Sequence, residues 1–220
     1  MTKTAVILTG YSSRPKIISQ LPLANGLFKR GCEVVIIDPF HTKRSDWVFQ
    51  HTMITSMTTE EIVYSVEKDI DCTFIKEADI AFFYSYGAIP GILQEEFEAR
   101  QNVFLSPFIG KGTAKWSMFQ KLLLKLAKAS PNVLPALLDA DSESLQKKLF
   151  EKMINMELRG ENFFFIPKNR DNQFFDEKVC YPKNIINSLP GAIHLLKVKH
   201  HQDMINNPTI VNQILDTIKC

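Results

Sequence analysis

Ser85 stands in Phe83-Tyr84-Ser85-Tyr86-Gly87-Ala88, directly after the apolar run Ala78 to Phe83. A short apolar run that stops at such a step predicts a buried strand, a tight turn and a helix. A serine on that turn is thrust forward, where its hydroxyl can attack a carbonyl. A hydroxyl is a weak nucleophile until a base takes its proton, and five histidines are available: His41, His51, His194, His200 and His201. His194 belongs to the apolar segment His194 to Val198 and is expected to be structural. His200 and His201 follow the end of that segment, where a base can swing over a nucleophile raised at the middle of a sheet. An imidazole also needs a partner on its second nitrogen. Asp171, in Lys168-Asn169-Arg170-Asp171-Asn172, follows the segment Phe163 to Ile166 and is placed to serve; Asp176 is the alternative, and Asp139 and Asp141 are less well placed. The developing oxyanion requires two fixed donors, for which the backbone N–H groups of Tyr86 and of Tyr11, in Thr9-Gly10-Tyr11-Ser12-Ser13, are the candidates. Together these residues are equipped for acyl transfer through a serine ester.

Such a constellation works only if segments far apart in sequence arrive at one edge of one scaffold. Short β-rich apolar runs alternate with stretches of helical spacing, which predicts an α/β fold with a mostly parallel central sheet flanked by helices. Strands are expected at Thr4 to Thr9, Cys32 to Ile37, Ala78 to Phe83, Asn102 to Leu105, Asn162 to Ile166 and His194 to Val198. Helices are expected at Ile17 to Arg30, closed by Gly31, at Thr58 to Lys68, at Ile89 to Arg100, and from Asn207-Pro208 to Ile218. From Pro107 to Gly160 the periodicity is helical throughout, so residues 107–160 are read as a small helical cap inserted into a single domain spanning 1–220. Its first helix, Lys115 to Lys128, sets Lys115, Lys121, Lys125 and Lys128 beside Trp116, Phe119, Leu122, Leu123 and Leu126. Such a helix is a solvated basic face over an apolar one, or a docking surface for an acidic partner such as an acyl carrier protein, or for a membrane surface.

Composition narrows the classes. With 26 basic and 24 acidic residues the formal charge is +2, so no whole-chain field draws in nucleic acid. The phosphate-cradling spacings G-x-G-x-x-G and G-x-x-x-x-G-K-[ST] are missing after the first strand. No run of ~20 apolar residues would span a membrane, and the start has no small-residue cleavage site, which predicts a soluble, cytoplasmic protein. Cys32, Cys72, Cys180 and Cys220 are widely spaced without a C-x-x-C pair, as expected of reduced thiols, with Cys32 and Cys72 read as packing residues. His41 and His51 are too far apart to suggest a metal site.

The pieces resemble the α/β-hydrolase superfamily of serine hydrolases, over nearly the whole chain. Leu8-Thr9-Gly10-Tyr11 resembles that family's histidine-glycine oxyanion loop, with Thr9 in the histidine's place. Cys32 to Pro39 looks like the next strand, which ends in aspartate in many members, as Asp38 does here. The segment from His201 to Val211 is similar to the family's catalytic-histidine loop, with Met204 three on and Pro208 seven on; that match selects His201 over His200. The order Ser85, Asp171, His201 is the family's order. At the turn the family places small residues two before and two after the serine. Gly87 fits, whereas Phe83 replaces a glycine and predicts crowding at the turn or a helix displaced outward.

The resemblance implies a serine hydrolase cleaving an ester or thioester of an acyl substrate through an acyl-enzyme on Ser85, with His201 as base and then acid, Asp171 orienting it, and no metal or cofactor. Tyr84, Trp116 and Phe119 would line an acyl pocket, and a carrier-bound or coenzyme A-linked substrate would suit the cap lysines. Two other readings use the same scaffold: a non-catalytic binding or regulatory protein, which Phe83 favours, and an acyltransferase, which differs only in its acceptor.

Overall fold

A computed structural model describes residues 2–8, 21–37, 78–88, 99–107, 151, 153–155, 160–168, 186–199 and 202–220. Six strands are described: β1 (Lys3–Leu8), β2 (Cys32–Ile37), β3 (Ile80–Tyr84), β4 (Gln101–Leu105), β5 (Glu161–Pro167) and β6 (Ala192–Leu196). They form one sheet in the order β2-β1-β3-β4-β5-β6, and every neighbouring pair is parallel. The strands are rich in Val, Ile and Phe, which suit a pleated surface, and they carry apolar residues on both faces, as a parallel sheet covered on both sides requires.

On one face Ala5, Ile7, Ile80, Phe82, Tyr84, Val103, Leu105 and Phe165 form a core cluster with the helices α1 (Pro22–Lys29), α2 (Asp203–Asn206) and α3 (Pro208–Thr217). α1 contributes Leu23, Ala24 and Leu27, which share one side of the helix; α3 contributes Ile210, Val211, Ile214 and Leu215. Val6, Leu8, Ala81, Phe83, Phe104 and Phe164 on the opposite face are equally buried. α3 begins where Pro208 and Asn207 predict: the Asn207 side chain accepts from the N–H groups of Thr209 (3.0 Å) and Ile210 (3.4 Å).

The six expected strands are present, with shifted bounds. β6 starts two residues earlier than its apolar run suggests and ends at Leu196, because β5, its neighbour, ends at Pro167 and leaves nothing to pair with Lys197 and Val198. Ala99 and Arg100 are not helical as expected. The Arg100 N–H instead reaches the Ala78 carbonyl (3.4 Å) and leads into β4. The helix expected at Thr58 to Lys68 lies outside the described residues, as does nearly all of the 107–160 cap.

The amino edge of the sheet is tied by polar side chains. The Asp79 carboxylate accepts from the Thr4 N–H (2.9 Å) and lies 3.4 Å from the Arg100 guanidinium. Asn102, fully buried, donates to the Asn162 side chain on the next strand (3.0 Å). The Gln101 amide donates both to Glu161 (2.9 Å) and to the Ile218 carbonyl (3.2 Å), linking the edge to the end of α3. Gly160 starts β5 at φ 88°, and a Cβ there would fall on the Ala99 and Arg100 carbonyls, whereas one on Gly31, at φ 83°, would meet nothing within 4 Å. Both positions favour glycine, but only Gly160 is also a close backbone approach. Gly31→Ala is therefore expected to cost about 1 kcal/mol and Gly160→Ala about 2–3 kcal/mol, read from urea unfolding midpoints at unchanged slope. Equal costs would show that backbone conformation alone, without the close approach, governs both sites.

Candidate active site

In a parallel sheet every strand delivers its chain to the same edge. Ligands of open α/β sheets bind outside that carboxyl edge, where the strand order reverses. Here the reversal falls between β1 and β3, since the chain passes from β1 outward to β2 and then returns across β1 to start β3. Ser85 is the first residue after β3, so it borders this crevice.

Ser85 has φ 54° and is 7% exposed, at the start of a 3₁₀ turn over Ser85–Gly87 from which Ala88 continues as helix. A left-handed backbone at a non-glycine residue costs on the order of 1–3 kcal/mol and persists only where its surroundings enforce it. The enforcement is visible. β3 is buried throughout and paired on both sides, to β1 and to β4, up to the turn itself. The first N–H groups of a helical turn have no partner within that turn. The serine turn read from the sequence is thus present at the predicted position.

Phe83 joins an aromatic row across the sheet. Its ring stacks on Phe104 (centroids 4.8 Å apart, planes at 19°), and Phe104 stacks on Phe164 (4.6 Å, 5°). The three are direct register partners on β3, β4 and β5. The helix that Phe83 is expected to crowd lies, beyond Ala88, outside the described residues.

A second residue at this edge escaped the sequence reading. Tyr84 pairs with Leu105, so Ser106 leaves β4 directly beside Ser85. Its φ is 42°, although it precedes Pro107 and such residues are normally held to extended backbone. It is 2% exposed, its N–H donates to the Phe165 carbonyl (2.9 Å), and its Oγ has no hydrogen-bond partner among the described residues. Of the three non-glycine residues with left-handed backbone among the described residues, two are therefore these adjacent serines. The repeated order of strand, serine and turn in Phe83-Tyr84-Ser85 and Phe104-Leu105-Ser106 was the available signal.

Tyr84 is buried in the core cluster with Phe82 and Leu105. His194 lies in mid-strand, its ring 5.0 Å from Phe165 and 6.2 Å from Phe163, as a packing residue would be. Asp171, His201, Tyr11, Trp116 and Phe119 lie outside the described residues. The segments that carry two of them are anchored nearby. β5 ends at Pro167, and the Lys168 N–H donates to the Leu196 carbonyl (2.7 Å) before the chain runs on to Asp171. On either side of His201, the Lys199 N–H donates to the Asp203 carboxylate (2.8 Å), and Met204 and Ile205 are buried in the core.

No family model matches the chain, and no curated protein matches it by sequence. Solved structures do match. A monoacylglycerol lipase from Paleococcus ferrophilus aligns over 98% of this chain and 92% of its own, at 12% identity and a TM-score of 0.63. The thioesterase domain from the curacin biosynthetic pathway aligns over 98% and 91%, at 11% identity and 0.61. An extracellular α/β-hydrolase from a Paenibacillus species, which shares structural and functional homology with tobacco salicylic acid binding protein 2, aligns over 97% and 98%, at 16% identity and 0.61. The chain has the α/β-hydrolase fold. Neighbours of differing activity share that fold, so activity must be argued from the edge residues themselves.

A buried hydroxyl without a partner carries a desolvation penalty that its removal abolishes. Ser106→Ala is expected to raise stability by about 1 kcal/mol, or roughly 2–4 °C in Tm by calorimetry. A lowered Tm would mean that the hydroxyl is satisfied in solution.

Proposed function

We propose that the chain is a serine hydrolase of the esterase or thioesterase type, acting through an acyl-enzyme on Ser85. The observation that carries this reading is the left-handed backbone of Ser85 at the carboxyl end of β3, beside the point where strand order reverses. That conformation sets the serine on a tight turn at the sheet's carboxyl edge, as a presented nucleophile requires.

In this reading His201 takes the Ser85 proton as Oγ attacks the acyl carbonyl. The N–H groups of Tyr11 and Tyr86 receive the oxyanion, and His201 then passes its proton to the leaving alcohol or thiol. A water molecule deprotonated by His201 attacks the acyl-enzyme, and the acid leaves as Ser85 regains its proton. Asp171 keeps the imidazole in the correct tautomer and stabilises its charged form. Residues 107–160 of the single domain form the cap, with Trp116 and Phe119 against the acyl chain and the lysines toward an acidic carrier. Transfer of the acyl group to an alcohol or amine would use the same residues and differ only in product. A non-catalytic binding protein on the same scaffold is the reading that Phe83 favours, and it predicts ligand binding with no acyl-enzyme.

A fluorophosphonate is expected to add one phosphonyl group to the wild-type chain by intact mass and none to Ser85→Ala. The same variant should lower kcat on p-nitrophenyl esters or acyl thioesters by roughly 10⁴-fold or more. A folded wild type that stays unlabelled, or a variant of undiminished activity, would refute the assignment.

A further inference from the structure

Cys32 and Cys220 are separated by 188 residues in sequence, yet their sulfurs lie 3.4 Å apart. Cys32 opens β2, at the edge of the described sheet, and is 3% exposed within the core cluster that Cys220 packs against. Cys220 is partly exposed. Both are free thiols.

The approach is built by the backbone. α3 ends in a Schellman arrangement: the Lys219 N–H donates to the Asp216 carbonyl (3.2 Å) and the Cys220 N–H to the Leu215 carbonyl (3.1 Å). The residue that turns the chain back, Lys219, has φ 54°, a conformation usually left to glycine at this place. That turn brings Cys220 back over the start of β2. At the same corner the Arg30 guanidinium bonds the Asp216 carboxylate (2.5 Å), tying the turn before β2 to the last turn of α3. The helix cap and the ion pair thus hold two thiols in contact at one corner of the fold.

We propose that Cys32 and Cys220 form an oxidisable dithiol, closed to a disulfide by a peroxide and reopened by a dithiol reductant, that staples α3 to the sheet. The inference is independent of the catalytic assignment of Ser85. The more exposed Cys220 thiol reacts first, giving a sulfenic acid as the peroxide is reduced to water. The Cys32 sulfur then attacks that sulfenic sulfur, and a second water leaves as the S–S bond forms. The sulfurs must close by roughly 1.3 Å to reach a bond length of about 2.05 Å, a movement that side-chain rotation can supply. Burial, and after it the hydrogen bond and charge of Cys32, pushes the Cys220 thiol up to about 12. Peroxide attacks the thiolate, so closure is expected to be slow near neutral pH and to quicken as pH rises.

The test treats the folded full chain with hydrogen peroxide, blocks remaining thiols with N-ethylmaleimide and maps peptides without reduction. A Cys32–Cys220 cross-linked peptide, lighter than the reduced pair by two hydrogens, is expected in the wild type and absent from Cys220→Ser. Because the bond closes a very long loop, oxidised wild type should melt roughly 5–10 °C higher than its dithiothreitol-treated form. Cys220→Ser, and Cys32→Ser as a second variant, should show no such shift. Over-oxidation of Cys220 without the cross-link, or a cross-link running instead to Cys72 or Cys180, would overturn the proposal.

Discussion

Backbone polarity buried on both sides of a sheet has to be satisfied within the sheet, and between the six described strands every ladder is parallel. Each strand must therefore start from one edge and end at the other, with the return chain passing over a face. Everything with a chemical role follows from that directionality. The exits of β1 and β3 flank the reversal of strand order, and the exits of β4, β5 and β6 continue along the same rim. A slip of one residue in the β3 register would send Phe82 and Tyr84 to the wrong face and carry Ser85 away from the crevice.

The two edges are treated differently. At the amino edge Asp79, Asn102, Asn162, Gln101 and Glu161 bond to backbone or to one another and hold neighbouring strands together. At the carboxyl edge the buried polar residues are Ser85 and Ser106, in strained backbone, one of them with an orphaned hydroxyl. Polar groups that satisfy each other stabilise a fold, whereas a buried hydroxyl left unpaired on a strained turn lowers stability and persists for another reason. The burial of Phe83, Phe104 and Phe164 offsets this strain, since three stacked rings lie directly below the two serine turns.

The helical layer answers to the same frame. α1 and α3 bury apolar stripes against one face, and the ends of these helices meet β2 at the corner where Arg30, Asp216, Cys32 and Cys220 converge. An exposed ion pair of this kind contributes little by itself.

Local pattern was sufficient for much of this. Six apolar runs of β-branched and aromatic residues announced six strands, Gly31 and Asn207-Pro208 marked a helix end and a helix start, and the Ser-x-Gly step after β3 marked the turn. All of these depend on neighbours in sequence, and such signals survive without knowledge of the fold. Bounds set by partners did not survive: β6 ends where β5 stops offering hydrogen bonds, and Ala99 and Arg100 belong to the approach to β4. The stacking of Phe83 was equally illegible, because it depends on Phe104 and Phe164 arriving in register from two other strands. Ser106 became a site residue only when pairing set it beside Ser85, and two cysteines 188 residues apart became neighbours only when a left-handed Lys219 turned one back over β2. The sequence by itself determined which elements exist and which residue stands on the turn, since propensity and periodicity are local. Tertiary structure alone decided which side chains meet, because register and strand order are chosen by burying both faces of the whole sheet at once.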